Sequence, residues 1–277
     1  MISNLPNLIA RRDLLRELVL SELRSSTAQT RLGWLWWLLD PLLMMLVYWL
    51  IVVELFGRGG GNYSPYWIFV FIGLITWKQF AGTISKASGV LSRRQTLIRA
   101  VPFPTMVLPI ASVMSTFFFF LCGFAVLIVM MLVSPAPNHS GSMLPVAQVP
   151  LLMVLQLIIV AGLALPLSCF GVLYRDLSEL IPHALQAGFF LTPGLYGIDV
   201  VHHAAVNRLG PQWGEWAFDV YMLNPFAMLI TGYRDAMFYG RFLEPQYWAL
   251  LAIEAAVFFV LGYMIYQHYD RRVIKFL

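Results

Sequence analysis

Apolar positions follow two patterns along the chain. Over residues 5–31 they recur at helical spacing: Leu8, Leu15, Val19 and Leu23 share one stripe, and Arg11, Arg12, Arg16 and Arg24 are spread around it. This predicts an amphipathic helix suited to lie in the plane of a membrane interface, with Pro6 at an early helical position. From Trp34 onward the apolar residues fill every face. A membrane-spanning helix needs about 20 residues. The runs predict six of them: Trp34 to Phe56, Pro65 to about Phe80, about Met106 to Val133, about Gln148 to Leu173, Ile181 to Tyr196, and Tyr247 to Gln267. The fifth is shorter and is broken at Pro193-Gly194.

Trp34, Trp36 and Trp37 stand where the polar segment gives way to the first apolar run. Indole rings favour the headgroup boundary, so this is the expected point of insertion. The stretch 197–245 is too apolar for a plain loop and too interrupted for a span. Short outer-side helices dipping into the leaflet would suit it, provided their irregular backbone packs on protein or a wet path. Lys and Arg set the orientation. The segments 1–33, 78–105, 174–180 and 268–277 carry all but Arg58, Arg208, Arg234 and Arg241 of the 18 basic residues. The expected topology therefore has both ends inside and six crossings. The expected units are an interface helix over 1–33 and a six-helix domain over 34–277.

Composition supports the membrane reading. The chain is 60% hydrophobic and 12% charged, whereas soluble domains carry about 25% charged residues. A net charge of +4 suits anionic lipid, and no basic cluster with interleaved readout residues points to nucleic acid. Residues 1–33 lack an apolar core with a small-residue cleavage site, so no cleavable leader is expected. Cys122 and Cys169 lie in apolar runs and read as small buried hydrophobes. No G-x-x-x-x-G-K-[ST] loop, G-x-S-x-G elbow or H-E-x-x-H motif occurs. The pair His202-His203 has no third ligand nearby, and no metal is expected. Charges inside apolar runs are costly unless they serve a path or a partner. Asp40 reads either as path-lining or as part of the helix opening. Lys78 is expected to snorkel to the inner surface, Glu54 to reach outer water, and Glu254 to need a partner.

Several segments resemble one family. Arg31-Leu-Gly-Trp-Leu-Trp with Asp40-Pro41 resembles the start of the first span in bacterial polysaccharide-export ABC transporter permeases. Leu97-Ile98-Arg99 followed by Phe103-Pro104 and Leu108-Pro109 resembles their inner loop into the third span. Tyr174-Arg175-Asp176-Leu177 resembles their second inner turn. Leu223-Asn224-Pro225-Phe226 with Tyr233-Arg234 resembles the segment before their last span.

The resemblance implies a subunit of the bacterial inner membrane that pairs with a second copy and with two ABC nucleotide-binding subunits. ATP and magnesium would belong to those partners, with no cofactor in this chain. The implied cargo is a lipid-linked polysaccharide, O-antigen first, with capsule, teichoic acid or another wall glycan as alternatives. On that reading Trp34, Trp37, Asp40, Tyr48, Tyr66 and Trp77 are candidates for the sugar path, or else members of an interface belt. Arg24 and Arg31 would hold a diphosphate or anchor anionic lipid. Ser85 to Arg99 reads as a short coupling helix whose Leu91, Arg93, Arg94, Leu97 and Arg99 face the ATPase, with Tyr174, Arg175 and Asp176 as a second contact. Asn224, Pro225 and Arg234 would form an outer gate. Two other classes stay open: an ion-coupled secondary transporter, for which no internal repeat is evident, and an intramembrane glycolipid enzyme.

Overall fold

The computed structural model describes residues 12–25, 32–33, 35–57, 63–100, 103–134, 144–174 and 176–276. Their regular structure is entirely helical. In chain order the helices are α1 (Arg12–Ser25), α2 (Leu35–Trp49), α3 (Tyr66–Arg93), α4 (Gln95–Ala100), α5 (Val107–Val133), α6 (Val149–Leu173), α7 (Leu177–Leu191), α8 (Ile198–Leu209), α9 (Pro211–Met222), α10 (Pro225–Arg234) and α11 (Pro245–Phe276). Helix α2 continues as a π-helical turn over Leu50–Leu55, and α10 does so over Asp235–Tyr239.

Among the described residues, five helices are long and apolar enough to cross a membrane: Leu35–Leu55, Tyr66–Arg93, Val107–Val133, Leu144–Leu173 and Pro245–Asp270. The expected fifth span is α7, which has 15 residues. At 1.5 Å per residue it reaches about 22 Å, short of a hydrocarbon core about 30 Å thick. The second expected span was too short at its far end. Thr83, Ile84, Ala87, Ser88, Val90 and Leu91 continue as helix and are buried. The short helix expected over Ser85 to Arg99 is, as far as Arg93, the continuation of α3, kept helical by packing on α5 and α6.

Lipid is as apolar as leucine, so burial alone does not drive these helices together; close packing and hydrogen bonds do. Both are present. Pro166 has no amide to offer the carbonyl of Gly162 four residues earlier. That oxygen points at Gly262 of α11, where any Cβ would collide with it. Two glycines thus let α6 and α11 touch backbone to backbone. At mid-bundle, Tyr233 Oη donates to Gln156 Oε1 (2.8 Å), and Gln156 Nε2 donates to Gln79 Oε1 (2.9 Å) and Thr76 O (3.3 Å). This network ties α10, α6 and α3. Beside it the hydroxyls of Thr83 and Thr116 lie 2.5 Å apart, joining α3 to α5.

Helix α10 is the centre of the core, with Phe226 through Arg234 all buried. The interrupted stretch before the last span is therefore built into the bundle. At the basic end of the bundle, α1 packs on α5 and inserts Leu18 among Val90, Leu91, Met106 and Leu108. The same end is closed by Thr105, whose hydroxyl lies 2.7 Å from Tyr266 Oη and donates to Asp270 at 2.5 Å. In contrast, only 6% of the α2 span is buried.

Candidate functional site

The flank formed by α2, α3 and α7 holds the densest set of expected site residues. Pro41 sits inside α2 and cannot donate to the carbonyl of Trp37 four residues back. Lys78 of α3 supplies the missing donor. Its ammonium donates to Trp37 O (3.3 Å) and to Asp40 Oδ2 (2.6 Å). The Trp37 ring stacks on Phe119 at 4.3 Å with a 3° tilt. Lys78 and Lys86 lie over that ring at 5.4 and 4.7 Å. Lys78 therefore does not snorkel outward; it satisfies an orphan carbonyl and a carboxylate in one place. Asp40 remains 61% exposed at its side chain.

Beside this pair an apolar groove of about 390 Å³ runs between α3 and α7, lined by Trp77, Phe80, Leu185, Gly188, Asn224 and Phe226 among others. Trp77 meets Phe80 (5.1 Å) and Phe226 (5.8 Å) edge to face, and Phe80 lies 3.9 Å from Phe226. A Cβ at Gly188 would press on the Trp77 ring at 3.0 Å, so glycine keeps the groove open there. Asn224 closes one end. Its Oδ1 accepts from Phe226 N (3.0 Å), capping α10, and its Nδ2 donates to Thr192 Oγ1 (3.0 Å). Pro225 follows as the first helical residue.

Arg234 ends α10 as a buried guanidinium. It donates to Phe69 O (3.2 Å), Pro193 O (2.5 Å), Tyr196 O (2.9 Å) and Gly194 O (2.6 Å), and its plane covers the Phe69 ring at 3.6 Å. The last three are carbonyls that the break after α7 leaves without helical donors. The residue expected at an outer gate is thus the fastener of that break. It borders a cavity of about 340 Å³ with Asp199, Asp235 and Arg241. Arg241 Nε donates to Asp235 Oδ1 (2.7 Å), and Tyr63 Oη donates to Asp199 Oδ2 (2.5 Å). Burial pushes the Asp235 carboxyl up to about 6 against the pull of Arg241. Burial, then the Asp199 hydrogen bond, pushes the Tyr63 phenol up.

The other expected residues divide. Tyr66 is buried and donates to Leu195 O (2.9 Å). Tyr48 lies 6.3 Å from Phe189 on α7. Leu91, expected to face the ATPase, is 1% exposed and packs in the lower core, because the end of α3 runs on as helix against its neighbours. Leu97 is half-buried against the same cluster. Arg93 donates to Lys86 O (2.6 Å) on its own helix, and Arg94 donates to Ser21 Oγ (3.4 Å) on α1. Arg24, Arg99, Tyr174 and Asp176 are exposed. Arg31, Trp34 and Arg175 lie outside the described residues.

Cys122 is half-buried and Cys169 buried, both with free thiols. His202 pairs with Glu215 at 2.9 Å, and the described residues hold no group of three metal-ligating side chains. Glu254 Oε2 is buried without a hydrogen-bond partner. Sequence reasoning missed the network through Gln79 and Gln156 and the role of Lys86. Two glutamines inside apolar runs were the available signal for the network.

No protein-family model matches the chain. It is 30% identical over 244 residues to an O-antigen export system permease protein, RfbA, of Myxococcus xanthus, spanning 88% of this chain and 86% of that one. It is 26% and 24% identical to two proteins of the same name from Klebsiella pneumoniae, over 96% of this chain and 95% of each relative.

Proposed function

The chain belongs to the permease family of bacterial polysaccharide-export ABC transporters, and from that premise we infer that two copies form a path across the inner membrane for a lipid-linked polysaccharide of the O-antigen class, driven by two separate ATP-binding subunits. The names of the relatives supply the cargo, and the missing phosphate loop supports the division of labour. One observation carries the path. An exposed carboxylate, Asp40, stands five residues into an apolar helix beside a lysine and a tryptophan. Facing acyl chains it would be costly; facing a wet path or a second copy it is not. The adjoining groove at Trp77, with aromatic walls suited to sugar rings, extends that surface.

The basic end faces the cytoplasm, in line with the distribution of Lys and Arg. Helix α7 and the segment after it make the sixth crossing, and α8 to α10 form the outer gate. With Leu91 buried, the coupling surface comprises Leu97, Arg99, Tyr174 and Asp176. Arg24 lies on the side where cargo enters.

The test is co-purification with the ATPase encoded beside it, followed by export assays in cells. Asp40→Asn and Trp77→Ala are expected to lower surface glycan at least tenfold while the complex still assembles. Tyr174→Ala with Asp176→Ala is expected to weaken stimulation of the ATPase. Export by this chain alone, or full export by Asp40→Asn with Trp77→Ala, would sink the reading.

A further inference from the structure

The basic end holds a cavity that the transport reading leaves unused. It measures about 570 Å³ and lies between α1 and the last turns of α3. Glu22 and Ser25 line one side; Lys86, Arg93 and Arg94 line the other. Three cations thus face one carboxylate, and that carboxylate is engaged. Glu22 accepts from Ser112 Oγ (3.1 Å) and Ser115 Oγ (2.9 Å).

The cations are held close, with Glu22 the one carboxylate that lines the cavity beside them. Arg93 folds back along its own helix to Lys86 O. Gly89 permits this, because a Cβ there would stand 2.5 Å from the guanidinium. Arg94 is tethered to α1 through Ser21, a neutral partner. The Lys86 ammonium is shut off from solvent and makes no hydrogen bond. It rests over the Trp37 and Phe119 rings at 4.7 and 5.7 Å. An ammonium has three donors to place, and ring contact satisfies none of them as a hydrogen bond. Its flexible stem lets it turn from the rings into the cavity that the same side chain lines.

We propose that this cavity binds an anionic phosphate headgroup borne on a lipid. Arg93 and Arg94 would hold its oxygens through paired N–H donors, and Lys86 would swing in as a point charge. The position favours a lipid-borne phosphate, since the amphipathic α1 forms one wall and the apolar spans begin directly beyond. The site rests on the chemistry of the cavity and stands whether or not the chain exports glycan.

The full-length protein in phosphatidylcholine nanodiscs is offered phosphatidylglycerol, a polyprenyl diphosphate or inorganic diphosphate, and retained ligand is read by native mass spectrometry. Wild type is expected to retain at least one anionic lipid in preference to phosphatidylcholine. Lys86→Met with Arg93→Gln is expected to weaken that retention about 30-fold, or about 2 kcal/mol at 1.4 kcal/mol per tenfold. Gly89→Leu keeps every charge but displaces Arg93, and is expected to weaken it as well. Preference for polyprenyl diphosphate identifies a carrier lipid, and preference for phosphatidylglycerol a bulk anionic lipid; either supports the site. Equal retention of phosphatidylcholine by wild type, tighter binding of inorganic diphosphate than of either lipid, or folded variants within twofold of wild type overturns it. The wild-type comparison decides the matter should the variants fail to fold.

Discussion

Lys78 does two jobs at one point, and each creates a testable asymmetry. It bonds the carbonyl that Pro41 leaves idle, and it pairs with Asp40. Lys78→Met orphans both acceptors, whereas Asp40→Asn leaves the carbonyl bond in place. An unmet buried acceptor costs about 1–3 kcal/mol. Lys78→Met is therefore expected to lower the unfolding temperature in detergent more than Asp40→Asn does. Adding Pro41→Ala to Lys78→Met is expected to recover part of the loss, because the restored amide serves Trp37. Failure of that rescue would show that the carbonyl bond contributes nothing. Arg234 invites a similar comparison. Its planar fork reaches carbonyls on three sides, so Arg234→Lys is expected to be nearly as damaging as Arg234→Met, at about 3 kcal/mol or more. A stable Arg234→Lys variant would assign the effect to charge rather than to geometry.

At the scale of elements, the contact of α6 with α11 depends on glycine. Gly262→Ala would drive a methyl into the Gly162 carbonyl, and a large drop in unfolding temperature and yield is expected. Gly82→Ala is the control, since its Cβ would meet the Trp37 ring at an ordinary 3.5 Å. The long apolar helices were legible from hydropathy because length and composition define them. Helix ends were less so. The polar run of Thr83, Ser85, Lys86 and Ser88 suggests a break before a separate short helix, yet neighbours on α5 and α6 bury one face and hold α3 unbroken to Arg93. For the same reason Leu91 looked available and is not. The depth of α10 was half legible: Pro and Gly marked interruptions, but nothing in the sequence tells that the whole of Phe226–Arg234 is enclosed. Pairings between distant residues, such as Lys78 with Asp40, depend on which helices neighbour each other, and spacing along the chain does not carry that.

For the whole molecule, the test is which way up it sits. With Cys122 and Cys169 replaced by serine, a single cysteine at Ser92 is expected to react only with reagents that reach the cytoplasmic side, and one at Gln212 only from outside. The reverse pattern would overturn the topology and the coupling surface with it. The arrangement also separates fixed from free. The core of α3, α6 and α10 is enclosed, while α2 and α11 present most of their apolar surface outward.

A last consequence concerns Arg234. One guanidinium grips both the unwound strand after α7 and the carbonyl of Phe69 on α3. These two rods cannot part at that end without leaving the oxygens of Pro193, Gly194 and Tyr196 dry. Freedom is left to the opposite end, where the crevice between them would open like a clothes-peg sprung at Arg234, its jaws at Ile84 and Ile181.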